Sequence, residues 1–345
     1  MKLLLFLLFT LNLYSFPVLK LENNNYTFTT ENILFKNYTL KITSYFKKSS
    51  LKYFDGADGV KIAYKTFKVK NSKGTIVIVS GRTESMIKYQ ELIYDLSENG
   101  FNVFIYDHRG QGLSGRTQNI DSQLGDVEYF NNYVKDLKYF VEHIVKKQIK
   151  KKPFLLSHSM GGAISSLYLE KYGDDFKAAV MSSPMHQPSI GGTLTTDLVC
   201  SFYVKERQGR VAYVIGTSSY DDAFDELDYK IYTQSIRRYA LVVDAYEKYP
   251  LAKIGGPSSR WLAQACQYSK LSISNAYKIK TPILLLSAGE DKIVNEKAQQ
   301  EFCDNVGSLC QAYSVENSEH EIFIQRDSIR NRALVKILNF FKANN

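Results

Sequence analysis

The 345-residue chain has little of what would place it in a non-globular class. It contains only 7 Pro and 20 Gly, which excludes collagen-like and Pro/Gly-rich disordered chains. Its 4 Cys match no zinc-ligand spacing, and no His stands beside them. Beyond the first residues, no apolar run approaches the about 20 residues that a membrane-spanning helix requires. No nucleic-acid motif accompanies the basic residues. What is present is a 44% hydrophobic, 23% charged chain with enough apolar material for a sizeable core, and a formal net charge of +9. That surplus favours solubility and attraction to anionic surfaces.

Lys2 followed by the apolar run Leu3–Leu13 reads as a signal peptide, residues 1–15, with an expected cleavage after Ser15. An exported chain, periplasmic or secreted, permits disulfides, and Cys303 with Cys310 is the expected local pair. Residues 16–50 show only weak alternation and read as an N-terminal extension outside the core.

From Val60 the texture changes. Val60–Val69 alternates like an edge strand, and Thr75–Val79 is a β-branched run of the kind buried in a parallel sheet. Helical and strand patterns then alternate through Met86–Glu98, Phe101–Tyr106, Val127–Lys147, Phe154–Ser157, Gly162–Tyr172 and Ala178–Ser182. Between 185 and 276 the rhythm stops, and only helical segments appear, which predicts an inserted helical cap. Strand, helix, strand and helix resume over 277–345. The expected fold class is α/β: a mostly parallel sheet flanked by helices, its core formed by 51–184 and 277–345. Sites in such a fold form at the carboxyl ends of strands.

Ser157-His158-Ser159-Met160-Gly161-Gly162 lies between a buried strand and a helix opened by glycines, the pattern of a nucleophile elbow. Ser157 stands where the strict pattern has glycine. A serine nucleophile needs a base, and five histidines make the search short. His108 precedes the serine, His143 lies within a helix, His158 is the elbow's variable residue and His186 lies at the cap entrance. His320 follows the last strand and is the expected base. Asp291 ends the preceding strand and is the expected acid, with Glu290 as its rival. The backbone N–H groups of Met160 and Arg82 are the expected oxyanion donors, and Arg82 and Glu84 are placed to touch a polar head group. Gly110–Gly115 spells G-x-G-x-x-G, with Asp136 about 20 residues on, but it opens a polar loop and no helix, so a nucleotide site is not expected.

Taken with Tyr106–Gly115, Gly81-Arg82-Thr83-Glu84-Ser85, Tyr213–Thr217 and Gly255-Gly256-Pro257, these motifs resemble the bacterial lysophospholipases of the α/β-hydrolase superfamily, relatives of monoacylglycerol lipase. The similarity runs from about Val60 to Phe341. It implies the α/β-hydrolase fold and hydrolysis of a lysophospholipid's acyl ester by Ser159, His320 and Asp291, without cofactor or metal. Monoacylglycerol lipase, broad carboxylesterase and related peptidase remain alternatives, as does a non-catalytic lipid-binding protein. The expected partners are a lysophospholipid or monoacylglycerol and, peripherally, an anionic membrane; neither nucleic acid nor nucleotide is expected.

Overall fold

A computed structural model describes residues 16–191, 193–220 and 228–345. The expected leader, 1–15, lies outside them. Eight strands form one sheet: β1 (Lys52–Asp55), β2 (Lys61–Phe67), β3 (Gly74–Val79), β4 (Phe101–Tyr106), β5 (Phe154–His158), β6 (Ala179–Ser182), β7 (Ile283–Ala288) and β8 (Cys310–Val315). Their spatial order is β1-β2-β4-β3-β5-β6-β7-β8. β2 is antiparallel to β1 and β4, and the remaining pairs are parallel.

The parallel strands read as unbroken apolar runs because both faces are covered. Val77 and Val79 face one layer, Ile76 and Ile78 the other, and Leu285 and Leu284 divide in the same way. The helices are α1 (Glu31–Asn37), α2 (Ser44–Lys48), α3 (Gln90–Glu98), α4 (Asn131–Tyr139), α5 (Met160–Tyr172), α6 (Thr193–Glu206), α7 (Ile236–Lys248), α8 (Ser259–Ser274), α9 (Glu296–Val306) and α10 (Asp327–Ala343). One apolar layer joins α4, α5, α8 and α9, and the other joins α3 and α10.

The N-terminal segment departs from expectation. Phe16, Leu19, Phe28, Leu34 and Phe46 are buried. Leu19 donates its N–H to the Ser314 carbonyl at 2.8 Å, and Ser314 donates to the Pro17 carbonyl at 3.0 Å, so the segment covers the free edge of β8. Thr29 bonds Asp95 through both N–H and hydroxyl, and Glu22 pairs with Lys336. Residues 31–48 run as one continuous helical stretch, α1 and α2 joined by a π-helical segment over Tyr38–Thr43, which buries Leu34, Tyr38, Ile42 and Phe46 on one face; the exposed apolar Ile33, Phe35 and Leu40 blur that period in the sequence. The alternating stretch near Val60 is β2, one strand inside the edge, because the short and polar β1 lies outside it.

Between β6 and β7 the described residues contain no strand, only α6, α7, α8 and shorter turns. α7 is pinned to the core by Arg238, which pairs with Glu91 of α3 and with Asp327. α8 carries Trp261, Leu262, Ala265 and Cys266 into the main apolar layer. Two disulfides form: Cys303–Cys310, across the turn from α9 to β8, and Cys200–Cys266, which ties α6 to α8.

Candidate active site

Ser159 occupies the turn from β5 to α5 with φ 51° and ψ −120°, a conformation costly for a residue with a side chain and sustained only by its surroundings. Those surroundings are specific. The Ser159 N–H donates to the Ser182 carbonyl at 3.1 Å, and the N–H groups of Gly162 and Met185 donate to the Ser159 carbonyl. A Cβ on Gly161 would fall 2.2 Å from the Val79 carbonyl oxygen, so only glycine lets helix and strand approach this closely. Ser157, which replaces the usual glycine, is accommodated because its hydroxyl donates to the Val180 carbonyl at 3.2 Å.

The loops after β7 and β8 bring the other two expected residues to this serine. His320 Nε2 lies 2.9 Å from Ser159 Oγ, and His320 Nδ1 lies 2.8 Å from Asp291 Oδ2. The second Asp291 oxygen accepts the N–H groups of Ile293 (2.8 Å) and Val294 (3.1 Å), which orients the carboxylate. Glu290 is exposed and takes no part in this line. The arrangement can therefore move a proton: the hydroxyl lies within general-base reach of an imidazole whose far nitrogen faces a carboxylate.

Met160 opens α5, and its backbone N–H has no acceptor among the described residues; the same holds for Arg82. A Cβ on Gly81 would stand 3.2 Å from the Ser159 Cβ, which places the 81–85 loop against the serine. Two unfilled N–H donors flanking the serine are what a developing oxyanion requires.

Sequence reasoning missed what holds this loop. Glu84 is buried and accepts the Gly81 N–H, the Tyr89 hydroxyl and the Lys88 ammonium. It is therefore a brace and does not present itself to a head group, which corrects that expectation. Lys88 also pairs with Glu321 at 2.6 Å, and Glu321 lies 3.2 Å from His158, whose ring centroid is 4.8 Å from that of His320. Burial alone would lower the His158 pKa, but Glu321 and Glu84 outweigh it and raise it. Burial would likewise raise Glu321, but Lys88 and His158 hold it well below the usual carboxylate range. Lys88 thus sits between two buried carboxylates, with His158 against one of them, beside the candidate base. Glu84, His158 and Glu321 have ligand atoms within 4.8 Å of one another, the spacing of a metal site among the described residues. Lys88 already supplies the cation there, so the donor set does not fit an added metal. Sequence signals did exist: Glu84 and Lys88 are four apart, and Glu321 adjoins His320.

The rejected G-x-G-x-x-G stretch has a definite place. Asp107 accepts the Ser85 hydroxyl and the N–H groups of Met86 and Leu113; burial pushes its pKa up to about 6. Gln111 donates to the carbonyls of Gly81 and Glu84 at 2.8 Å. A Cβ on Gly112, at φ 57°, would lie 2.3 Å from the Asp107 carboxylate. Asp136 pairs with Arg109 at 2.7 Å. The stretch buttresses the 81–85 loop and leaves Asp136 committed to an arginine.

The profile of the family described as serine aminopeptidase S33 matches residues 70–327. Lysophospholipase L2 of Escherichia coli K12 is 31% identical over 311 residues, covering 88% of this chain and 91% of that protein. The monoacylglycerol lipase of Mycolicibacterium smegmatis is 24% identical, covering 74% and 84%. Among solved structures, a monoglyceride lipase from Saccharomyces cerevisiae superposes with TM-score 0.66 at 19% identity, covering 86% of this chain and 95% of its own. A monoacylglycerol lipase from Paleococcus ferrophilus gives 0.61 at 22%, covering 80% and 98%. These two share the fold. From the extent of the profile match and the near full-length similarity to a lysophospholipase, the chain belongs to the serine aminopeptidase S33 (Hydrolase_4) family of α/β-hydrolases.

Proposed function

We propose that the protein hydrolyses the acyl ester of lysophospholipids, releasing a fatty acid and a glycerophospho compound. The observation that carries the chemistry is the line Ser159–His320–Asp291, with Ser159 held in a strained turn at a helix N-terminus. The substrate follows from the similarity to lysophospholipase L2 over 91% of that protein's length.

In this reading His320 takes the Ser159 proton as Oγ adds to the acyl carbonyl, and the N–H groups of Met160 and Arg82 bind the oxyanion. Collapse expels the glycerophospho alkoxide, which takes the proton from His320, leaving an acyl ester on Ser159. Water then gives its proton to His320 and adds to that ester. The fatty acid departs and Ser159 recovers the proton. Asp291 holds the imidazole and stabilises its charged form throughout.

Export and peripheral membrane contact belong to the same proposal. The apolar run Leu3–Leu13, the two disulfides and the +9 charge support them. So do Leu194, Leu198, Ile215 and Leu251, exposed between β6 and β7. The test is fatty-acid release from a lysophospholipid and from a monoacylglycerol of equal chain length, by wild type and Ser159→Ala. The expected result is preference for the lysophospholipid and a loss of about 10^4-fold or more in the variant. Preference for the neutral glyceride would keep the serine chemistry and overturn the substrate. Release that survives Ser159→Ala would overturn both.

A further inference from the structure

Among the described residues the fully buried guanidinium groups all face carboxylates, whereas the half-buried Arg82, like the half-buried Arg116 and Arg332, does not. Arg109 pairs with Asp136, Arg238 with Glu91 and Asp327, and Arg330 with Asp95. Arg82 has no carboxylate within ion-pair distance among the described residues. Its Nη2 donates to the Gly255 carbonyl at 2.8 Å, and its guanidinium lies over the Trp261 ring, 5.0 Å from the centroid. Its Nε is enclosed and has no acceptor. Burial pushes its pKa down to about 10, which still leaves it cationic at neutral pH.

An enclosed charged donor without an acceptor is costly; Arg109, Arg330 and Arg332 also hold such nitrogens, but Arg82 does so on the loop packed against Ser159, where a ligand can supply the acceptor. The position says what that acceptor is. Arg82 follows Gly81, whose α-carbon stands against Ser159, and its side chain spans from the oxyanion loop to the segment around Gly255. A molecule whose ester sits at Ser159 therefore carries its next polar group toward this guanidinium. The planar N–H fork suits two oxygens of one phosphate better than it suits a neutral hydroxyl.

We propose that the Arg82 side chain binds the phosphodiester of the lysophospholipid and thereby discriminates it from the neutral monoacylglycerol. This rests on the lysophospholipase reading above. The site takes a phosphate monoanion joined through a glycerol unit to the scissile ester. Trp261 fixes the plane of the guanidinium, and Gly255 fixes its orientation.

The test compares wild type, Arg82→Met and Arg82→Lys on a lysophosphatidylcholine and a monoacylglycerol with the same acyl chain. A fluorophosphonate titration counts competent Ser159, so that each rate is expressed per working site. The expected result is a fall of about tenfold or more in the ratio of the two kcat/KM values for Arg82→Met. A smaller fall is expected for Arg82→Lys, which keeps the charge and loses the fork. Should the Met variant fail to fold, the Lys variant carries the test with a ratio reduced severalfold. Inhibition by glycerophosphocholine should weaken in parallel, whereas inorganic phosphate inhibiting all three proteins equally would place free phosphate elsewhere and argue against an Arg82 phosphate site. A ratio within twofold of wild type in both variants overturns the proposal. In that case wild-type preference for the lysolipid leaves the substrate reading standing, whereas wild-type preference for the glyceride removes that reading as well.

Discussion

Arg238 and Arg82 both tie the segment between β6 and β7 to the rest of the chain, from opposite directions, and they do so in different electrostatic terms. Arg238 reaches from α7 into the core and finds Glu91, Asp327 and the carbonyls of Gln325 and Thr29. Arg82 reaches from the core loop toward that segment and finds one carbonyl and an indole face. The first arrangement is complete in the free protein; the second is complete only with an anion. The difference separates buried charge that serves the fold from buried charge kept for a ligand. The Glu84–Lys88–Glu321–His158 cluster belongs with Arg238, since Lys88 meets both carboxylates in the free protein.

The comparison sharpens if the complete sites prove costly to break. Arg238→Met removes the hydrogen-bonded partner of Glu91 and Asp327, leaving Glu91 only Arg330 at 3.7 Å, and is expected to lower the unfolding free energy by about 3–5 kcal/mol, read by urea denaturation. Lys88→Met should cost about 2–4 kcal/mol because Glu84 and Glu321 then lose their shared ammonium. Adding Glu321→Gln should return part of that loss, a coupling that a double-mutant cycle measures.

His186 tests the behaviour of an uncharged buried group. It stacks on Phe302 with centroids 3.9 Å apart, and burial lowers its pKa from 6.5 to about 3. The fold therefore holds the neutral ring while the unfolded chain takes a proton. Stability from this residue is present above the unfolded value of 6.5 and is lost as pH falls toward 3. The loss at about pH 5 comes to about 2 kcal/mol. His186→Phe keeps the ring and cannot protonate, so its stability deficit relative to wild type should shrink by that amount between neutral pH and about pH 5. A constant deficit would show that the ring takes up its proton equally in the folded and unfolded chain, and so is not held neutral by the fold. Arg82→Met should have the smallest effect on stability, under about 1 kcal/mol, because no carboxylate is stranded. A loss as large as that of Arg238→Met would erase the distinction between the two arginines.

Legibility in the sequence followed the range of each signal. Ser159, His320 and Asp291 are readable because a strand-end motif, a chain order and a short list of histidines constrain them locally. The apolar runs of β3, β5 and β7 are readable because burial on both faces removes alternation. The cluster at Glu84, Lys88, His158 and Glu321 joins three distant segments, so the i,i+4 spacing announces the Glu84–Lys88 pair alone and nothing local links it to His158 or Glu321. The same contrast appears in the disulfides: Cys303 and Cys310 are 7 residues apart and bracket one turn, whereas Cys200 and Cys266 are 66 apart and meet only after α6 packs on α8. Residues 16–50 escaped because exposed Ile33, Phe35 and Leu40 mask the buried helical period of Leu34, Tyr38, Ile42 and Phe46, and residues 16–30 form no helix or strand of their own.

The central claim is that Ser159 carries the acyl group between two half-reactions. Rapid acid quench of the wild-type protein with a lysophospholipid, followed by peptide mass spectrometry, tests it directly. The account predicts an acyl adduct on the Ser159 peptide during turnover, absent from Ser159→Ala. An adduct on another residue, or fatty acid released by the Ser159→Ala protein at the wild-type rate, would contradict it.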